Sequence, residues 1–189
     1  MPYAVTHILV PVIFLELLRD NSPKMSRFFT RKHTFLVGLA GVLPDMDVPI
    51  YVALKSVGVK ITMTPLIQTV LFENFWLTIS FFAFFLLFYH LVPKLKLSKK
   101  ATIISKKFGK IFLVLFIAWS IHIILDAYLT GEAMPFYPLS TEIINYDIIG
   151  RIASATGIEK LTILVSIDAL LIFFWLWHEE AHHYIKDYF

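Results

Sequence analysis

Six residues set in largely apolar stretches of the chain carry side chains able to bind a divalent cation or move a proton: His7, Asp45, Asp47, Glu73, His122 and Asp126. His122 and Asp126 stand four apart in WSIHIILDAY, so a helix places both on one face with Cβ atoms about 5 to 6 Å apart. That spacing suits one metal ion. Asp45 and Asp47 lie in LPDMDVP, between Pro44 and Pro49. Imidazole with carboxylate is an ordinary ligand set for Zn, Mn or Fe. The chain contains no Cys, which excludes thiolate metal sites, cysteine nucleophiles and disulfide scaffolds together.

The elements that must position these groups follow from composition. Of 189 residues, 58% are hydrophobic and 16% charged, against about 25% charged in an ordinary soluble domain. Such a chain cannot cover a folded surface with polar side chains, and it reads as an integral membrane protein. Five apolar segments, near 4–19, 34–54, 69–92, 109–129 and 161–177, approach the ~20 residues a helix needs to cross a bilayer core. Lipid leaves backbone groups no water to bond, so all five are expected as helices. The fold expected is an all-α, membrane-embedded bundle of about five helices forming one domain over residues 1–189. The second helix is expected to break at Pro44, because proline lacks the backbone donor and clashes with the preceding turn. The first segment has no cationic leader or small-residue cleavage site around it and reads as a retained helix.

Basic residues alternate between rich and poor loops. Thirteen Lys and Arg fall in the first and third loops and the C-terminal tail, and four in the second and fourth loops. The positive-inside rule then puts the C-terminus in the cytoplasm and the N-terminus outside. The net charge of +3 is accounted for by these loops, and nucleic acid is not an expected partner. The stretch 93–110, with seven Lys, is expected as an amphipathic cytoplasmic linker. With this orientation His7 and Glu73 sit near outward starts of their helices, His122 and Asp126 near an outward end, and Asp45 and Asp47 in the outer half of the second segment. All six reach a similar depth. An ionised carboxylate near a bilayer centre costs about 2.5 to 3.5 kcal/mol, and no Lys or Arg lies in the outer halves of these helices. Two divalent ions would cancel the four carboxylates.

These residues resemble a family of membrane-bound metal-dependent hydrolases, the LexA-binding, inner-membrane-associated hydrolases. The likeness lies in Thr6-His7, in GLAGVLPDMDVP beside the family's Gly-rich stretch ending in PDxDHP, and in IHIILDAYLTGEAMPFYPLS beside its HxxxD helix and Tyr-Pro-Phe-Ser type ending. Together they span most of residues 1–140. The family is similar in turn to zinc-dependent phospholipase C and the P1-type nucleases. The resemblance implies His7, Asp45, Asp47, His122 and Asp126 as ligands of one or two divalent ions, Zn first, with Mn, Fe or Mg as alternatives. Phe72-Glu73-Asn74 stands where the family has Thr-His-Ser, so either Glu73 replaces a His ligand or the site has lost one. Val48 stands where the family often has His.

A metallated site would lower the pKa of a bound water and polarise a phosphoryl oxygen, with Asp47 or Glu73 as general base. At the outer interface it would suit a small or lipid-linked phosphoester, with membrane lipid as its surroundings. Two other readings use the same residues: an ion or proton transporter, since discontinuous helices and intramembrane acids mark that class too, and a non-catalytic member of the hydrolase family. Asp168, near the middle of the fifth segment, reads either as a carboxylate orienting a ligand His or as a partner elsewhere in the bundle. The C-terminal His178-Glu179-Glu180-Ala181-His182 has the letters of a zincin HExxH, but it falls across the bilayer from the other cluster and reads as the polar end of a span. FFAFFLLF reads as packing or lipid-facing surface.

Overall fold

The structure is a computed structural model that describes residues 4–58, 75–95, 98–130, 136, 139–140, 142–144 and 146–182, with the backbone alone described at 47–49, 130 and 182. Among these residues the fold is all-helical, with no strand. The helices are α1 (Ala4–Asp20), α2 (Pro23–Phe28), α3 (Arg31–Val42), α4 (Asp47–Ser56), α5 (Phe75–Leu86), α6 (Lys99–Leu125), α7 (Ile148–Thr156) and α8 (Lys160–His182). Three stretches are long and apolar enough to cross a membrane: Phe75–Leu95, Lys99–Leu129 and Lys160–Ala181. This is consistent with a membrane protein. Arg31–Met46 and Ile50–Ser56, bent by 48°, reach the same length only when taken together. At 17 residues, α1 is about 26 Å long and is not one of the three.

Packing of α1, α3 and α6 against one another builds the core: Val12 and Leu15 meet Val37 and Ala40, and Val114 and Ala118 close the cluster. Two glycines let α3 approach α1. A Cβ on Gly38 would come within 2.8 Å of Val12 Cγ2, and one on Gly41 would overlap the His7 carbonyl oxygen. Pro11 lies one turn after His7 in α1 and has no N–H to return to that carbonyl. The oxygen thus lacks its usual helical partner, and Gly41 is the residue that fits over it. The Phe-rich run packs against α6, with Phe81 edge-on to Trp119 at 5.2 Å, Phe82 against Phe116 at 5.0 Å and Phe84 against Phe112 at 5.1 Å between centroids.

Several boundaries differ from the sequence reading. The Lys-rich stretch is not a separate linker, because α6 begins at Lys99, where Ser98 accepts from the Ala101 N–H at 3.3 Å. Lysine is a good helix former, and Lys110 donates to the Phe28 carbonyl at 2.7 Å, tying α6 to the end of α2. His33 caps α3 by accepting from the Thr30 N–H at 3.0 Å. The fifth apolar segment continues through the HExxH letters to His182. The fourth loop holds α7, started by Asp147 and stopped by Gly157 at φ 72°, a left-handed conformation glycine adopts without strain. Around Pro44 the chain takes a tight turn over Leu43–Met46 before α4, since Pro44 cannot donate to the carbonyl of Ala40. Pro49 sits in the first turn of α4, where a helix N–H has no intrahelical acceptor to lose.

Candidate functional site

Four of the six candidate residues meet. His7 comes from the first turns of α1, Asp45 from the turn after α3, and His122 and Asp126 from the end of α6. Asp126 opens a π-type turn, Asp126–Thr130, a local widening frequent at functional sites. His7 Nε2 lies 3.3 Å from Asp126 Oδ1, His122 Nε2 3.0 Å from Asp126 Oδ2, and His122 Nε2 3.8 Å from Asp45 Oδ1. The two imidazoles face each other with centroids 4.2 Å apart and planes 38° apart. The rings are sealed, while the Asp45 and Asp126 side chains stay 13% and 18% exposed. The cluster therefore opens on its carboxylate side. The side chain of Asp47, and Glu73 with Asn74, lie outside the described residues.

Hydrogen bonding fixes one proton of His122. Its Nδ1 lies 2.8 Å from the Gly41 carbonyl oxygen. A carbonyl only accepts, so Nδ1 carries the proton and a neutral ring turns its Nε2 lone pair toward the carboxylates. That Nε2 is buried and makes no hydrogen bond, and neither does His7 Nδ1. Lone pairs of a neutral imidazole and a carboxylate 3.0 Å apart repel unless a positive charge stands between them. One proton on His122 Nε2 could supply it, with a neutral His7 donating from Nε2 to Asp126 Oδ1, but the buried His7 Nδ1 would stay bare and the two histidines and two carboxylates would keep a net negative charge. One divalent ion would supply it and also balance Asp45 and Asp126. Bonds of about 2.0 to 2.2 Å in a tetrahedral shell put neighbouring ligand atoms about 3.3 Å apart, close to the separations of 3.0, 3.3 and 3.8 Å found here. One ligand atom each from His7, His122 and Asp126 falls within 4.8 Å of the others. The donor set fits a metal, and the Gly41 carbonyl supplies the outer hydrogen bond that orients a ligand histidine.

Asp168 does not bond the histidines. It accepts a hydrogen bond from the Thr6 hydroxyl, one residue before His7, and so fixes α8 against the start of α1. Two groups escaped the sequence reading. The Gly41 carbonyl is a backbone atom and carries no side-chain signal. Glu16 was legible as an acid inside the first apolar segment, and it is buried beside His178 and Glu179 of α8. Searches among family models, curated proteins and solved structures find no match to this chain.

Proposed function

We propose that this protein is a membrane-embedded, metal-dependent hydrolase whose centre is formed by His7, His122, Asp126 and Asp45, acting on a phosphoester at the outer membrane interface. The observation that carries the reading is the meeting of His7, His122 and Asp126 within 4.8 Å, with His122 Nδ1 already bonded to a carbonyl and its other nitrogen turned on the carboxylates. The topology proposed with it has about five spans, the second broken at Pro44, with the N-terminus outside and the C-terminus in the cytoplasm. A bound divalent ion, Zn foremost, would supply a water of lowered pKa and a Lewis acid for a phosphoryl oxygen. The chain's own part is orientation. Gly41 holds the His122 ring, Pro11 and Gly41 set the height of His7, and Asp126 spans both rings with its two oxygens. The partly exposed Asp45 and Asp126 leave the open side toward substrate, and Asp47 or Glu73 are the candidates for the base. A lipid-linked phosphoester fits this depth because its reactive group already lies at the interface.

Metal analysis of detergent-purified protein, wild type beside Asp126→Ala and His122→Ala, tests the reading together with a panel of phosphoesters. Bound metal lost in both variants, with turnover lost alongside it, is the expected result. Wild-type protein without Zn, Mn, Fe or Mg after purification in their presence would remove the basis of the proposal. Cation uptake into liposomes abolished by Asp126→Asn would give the site to a transporter instead.

A further inference from the structure

At the other end of α1 a second cluster is buried. Glu16 meets His178 and Glu179 of α8, one ligand atom from each lying within 4.8 Å of the others. Glu16 is 2% exposed, Glu179 1% and His178 7%. Both oxygens of Glu179, and Oε2 of Glu16, are sealed from solvent without a hydrogen-bond partner. Asp20 adds a carboxylate oxygen 3.8 Å from His178 Nε2. The neighbouring cation, Arg19, bonds Asp20 Oδ1 at 3.1 Å and Thr34 Oγ1 at 3.5 Å. Asp20 is 19% exposed and bonded by Arg19, whereas Glu16 and Glu179 hold two carboxyl groups where water does not reach.

A single proton shared by Glu16 and Glu179 would join two of their four oxygens, still leaving buried acceptors bare and a net negative charge. Unsatisfied buried groups of this kind are costly, charged ones most of all. A divalent ion answers both deficits, and His178 contributes the nitrogen that such an ion accepts. We propose that Glu16, His178 and Glu179 form a second metal site, for a first-row divalent ion such as Mn2+ or Zn2+, separate from the His7 cluster. The separation is geometric. Thr6 pairs with Asp168 and Glu16 approaches Glu179, so α1 and α8 run parallel. Nine residues from His7 to Glu16 then place the two clusters about 14 Å apart along the axis. Glu16 and Glu179 line a cleft of about 1090 Å3 between α1, α3 and α8, whose walls include Val12, Phe35, Leu39 and Met46. The site gives a physical role to the first two letters of the HExxH string, with the third ligand supplied by another helix.

The test uses the full chain in detergent with the first cluster disabled by His122→Ala and Asp126→Ala. Equilibrium dialysis against Mn2+, and visible d–d bands on Co2+ addition, should report one bound equivalent. Adding Glu179→Gln or Glu16→Gln should weaken binding by more than the ~10 to 100-fold that outer-shell changes cost. No bound ion in the disabled background, with helicity kept, overturns the proposal, as does binding indifferent to both Gln variants. Should that background fail to fold, Glu179→Gln in the otherwise unaltered chain should lower metal content by one equivalent, and an unchanged content overturns the proposal. A Glu179→Gln protein that gains thermal stability with no metal response assigns the pair to proton sharing and likewise overturns it. Metal lost through Glu179→Gln but not through His122→Ala would support this site while sinking the hydrolase reading.

Discussion

Replacing Gly41 with alanine stresses the structure at its tightest point. A Cβ there would overlap the His7 carbonyl oxygen and stand 3.1 Å from Pro11 Cγ and 3.2 Å from the His7 carbonyl carbon. The obstacle is backbone, which cannot rotate aside. The start of α1 must retreat by about 1 Å to restore a carbon–oxygen separation of about 3.3 Å. His7 Nε2 now lies 3.3 Å from Asp126 Oδ1, and a retreat of that size carries it to about 4 Å, too wide for one ion with bonds of about 2.0 to 2.2 Å. Overpacking costs about 1 to 3 kcal/mol, offset by up to ~1 kcal/mol from the better helix propensity of alanine. Gly38→Ala is the control in the same interface. Its Cβ would meet Val12 Cγ2 at 2.8 Å and Ile8 Cγ2 at 3.3 Å, methyls of β-branched side chains that are stiff at χ1 but are farther off than the backbone oxygen that Gly41 faces. Thermal unfolding in detergent and chelator competition for bound metal should place Gly41→Ala below wild type in both, with metal affinity down at least ~10-fold, about 1.4 kcal/mol. Gly38→Ala should lose less stability than Gly41→Ala and keep its metal affinity, since its clash is with a side chain away from His7. Equal behaviour of the two variants would refute the argument.

Three further outcomes follow from other contacts. Thr6→Val removes the hydroxyl that donates to buried Asp168 and should cost about 1 to 3 kcal/mol by thermal unfolding, with Asp168→Asn added to it recovering part of the loss. Lys110→Met loses both the bond to the Phe28 carbonyl and the ammonium 4.5 Å above the Phe28 ring, and should lower stability by about 1 kcal/mol without changing metal content. Asp147, outside the membrane spans, is held below the usual carboxylate range by the Lys160 ammonium 2.9 Å away, with the Gly150 N–H assisting. A folded pKa depressed in this way adds stability above the unfolded value near 3.9, and that stability is lost as pH falls through the lower folded value. Melting followed from pH 6 to 2.5 should therefore show wild type above Asp147→Asn at the upper end and the two converging at the lower. A gap of constant width would contradict it.

Much of this protein was written in one dimension. Apolar run lengths dictated helices, because lipid offers backbone groups no other partner. The four-residue spacing of His122 and Asp126 put both on one face whatever they packed against, and Pro44 forced a tightened turn wherever the helix went. The HExxH letters are a partial guide for a matching reason. A linear motif states which side chains leave one helix together, not what faces them, and here His178 and Glu179 face Glu16, far off in sequence. Tertiary structure alone decided the rest. That His7 stands over the His122 ring depends on Pro11 leaving a carbonyl unbonded and Gly41 lacking the carbon that would collide with it. That the His122 Nε2 faces acids depends on a backbone oxygen holding Nδ1. Helix spacing and backbone acceptors are properties of packed pairs, and no single segment encodes them.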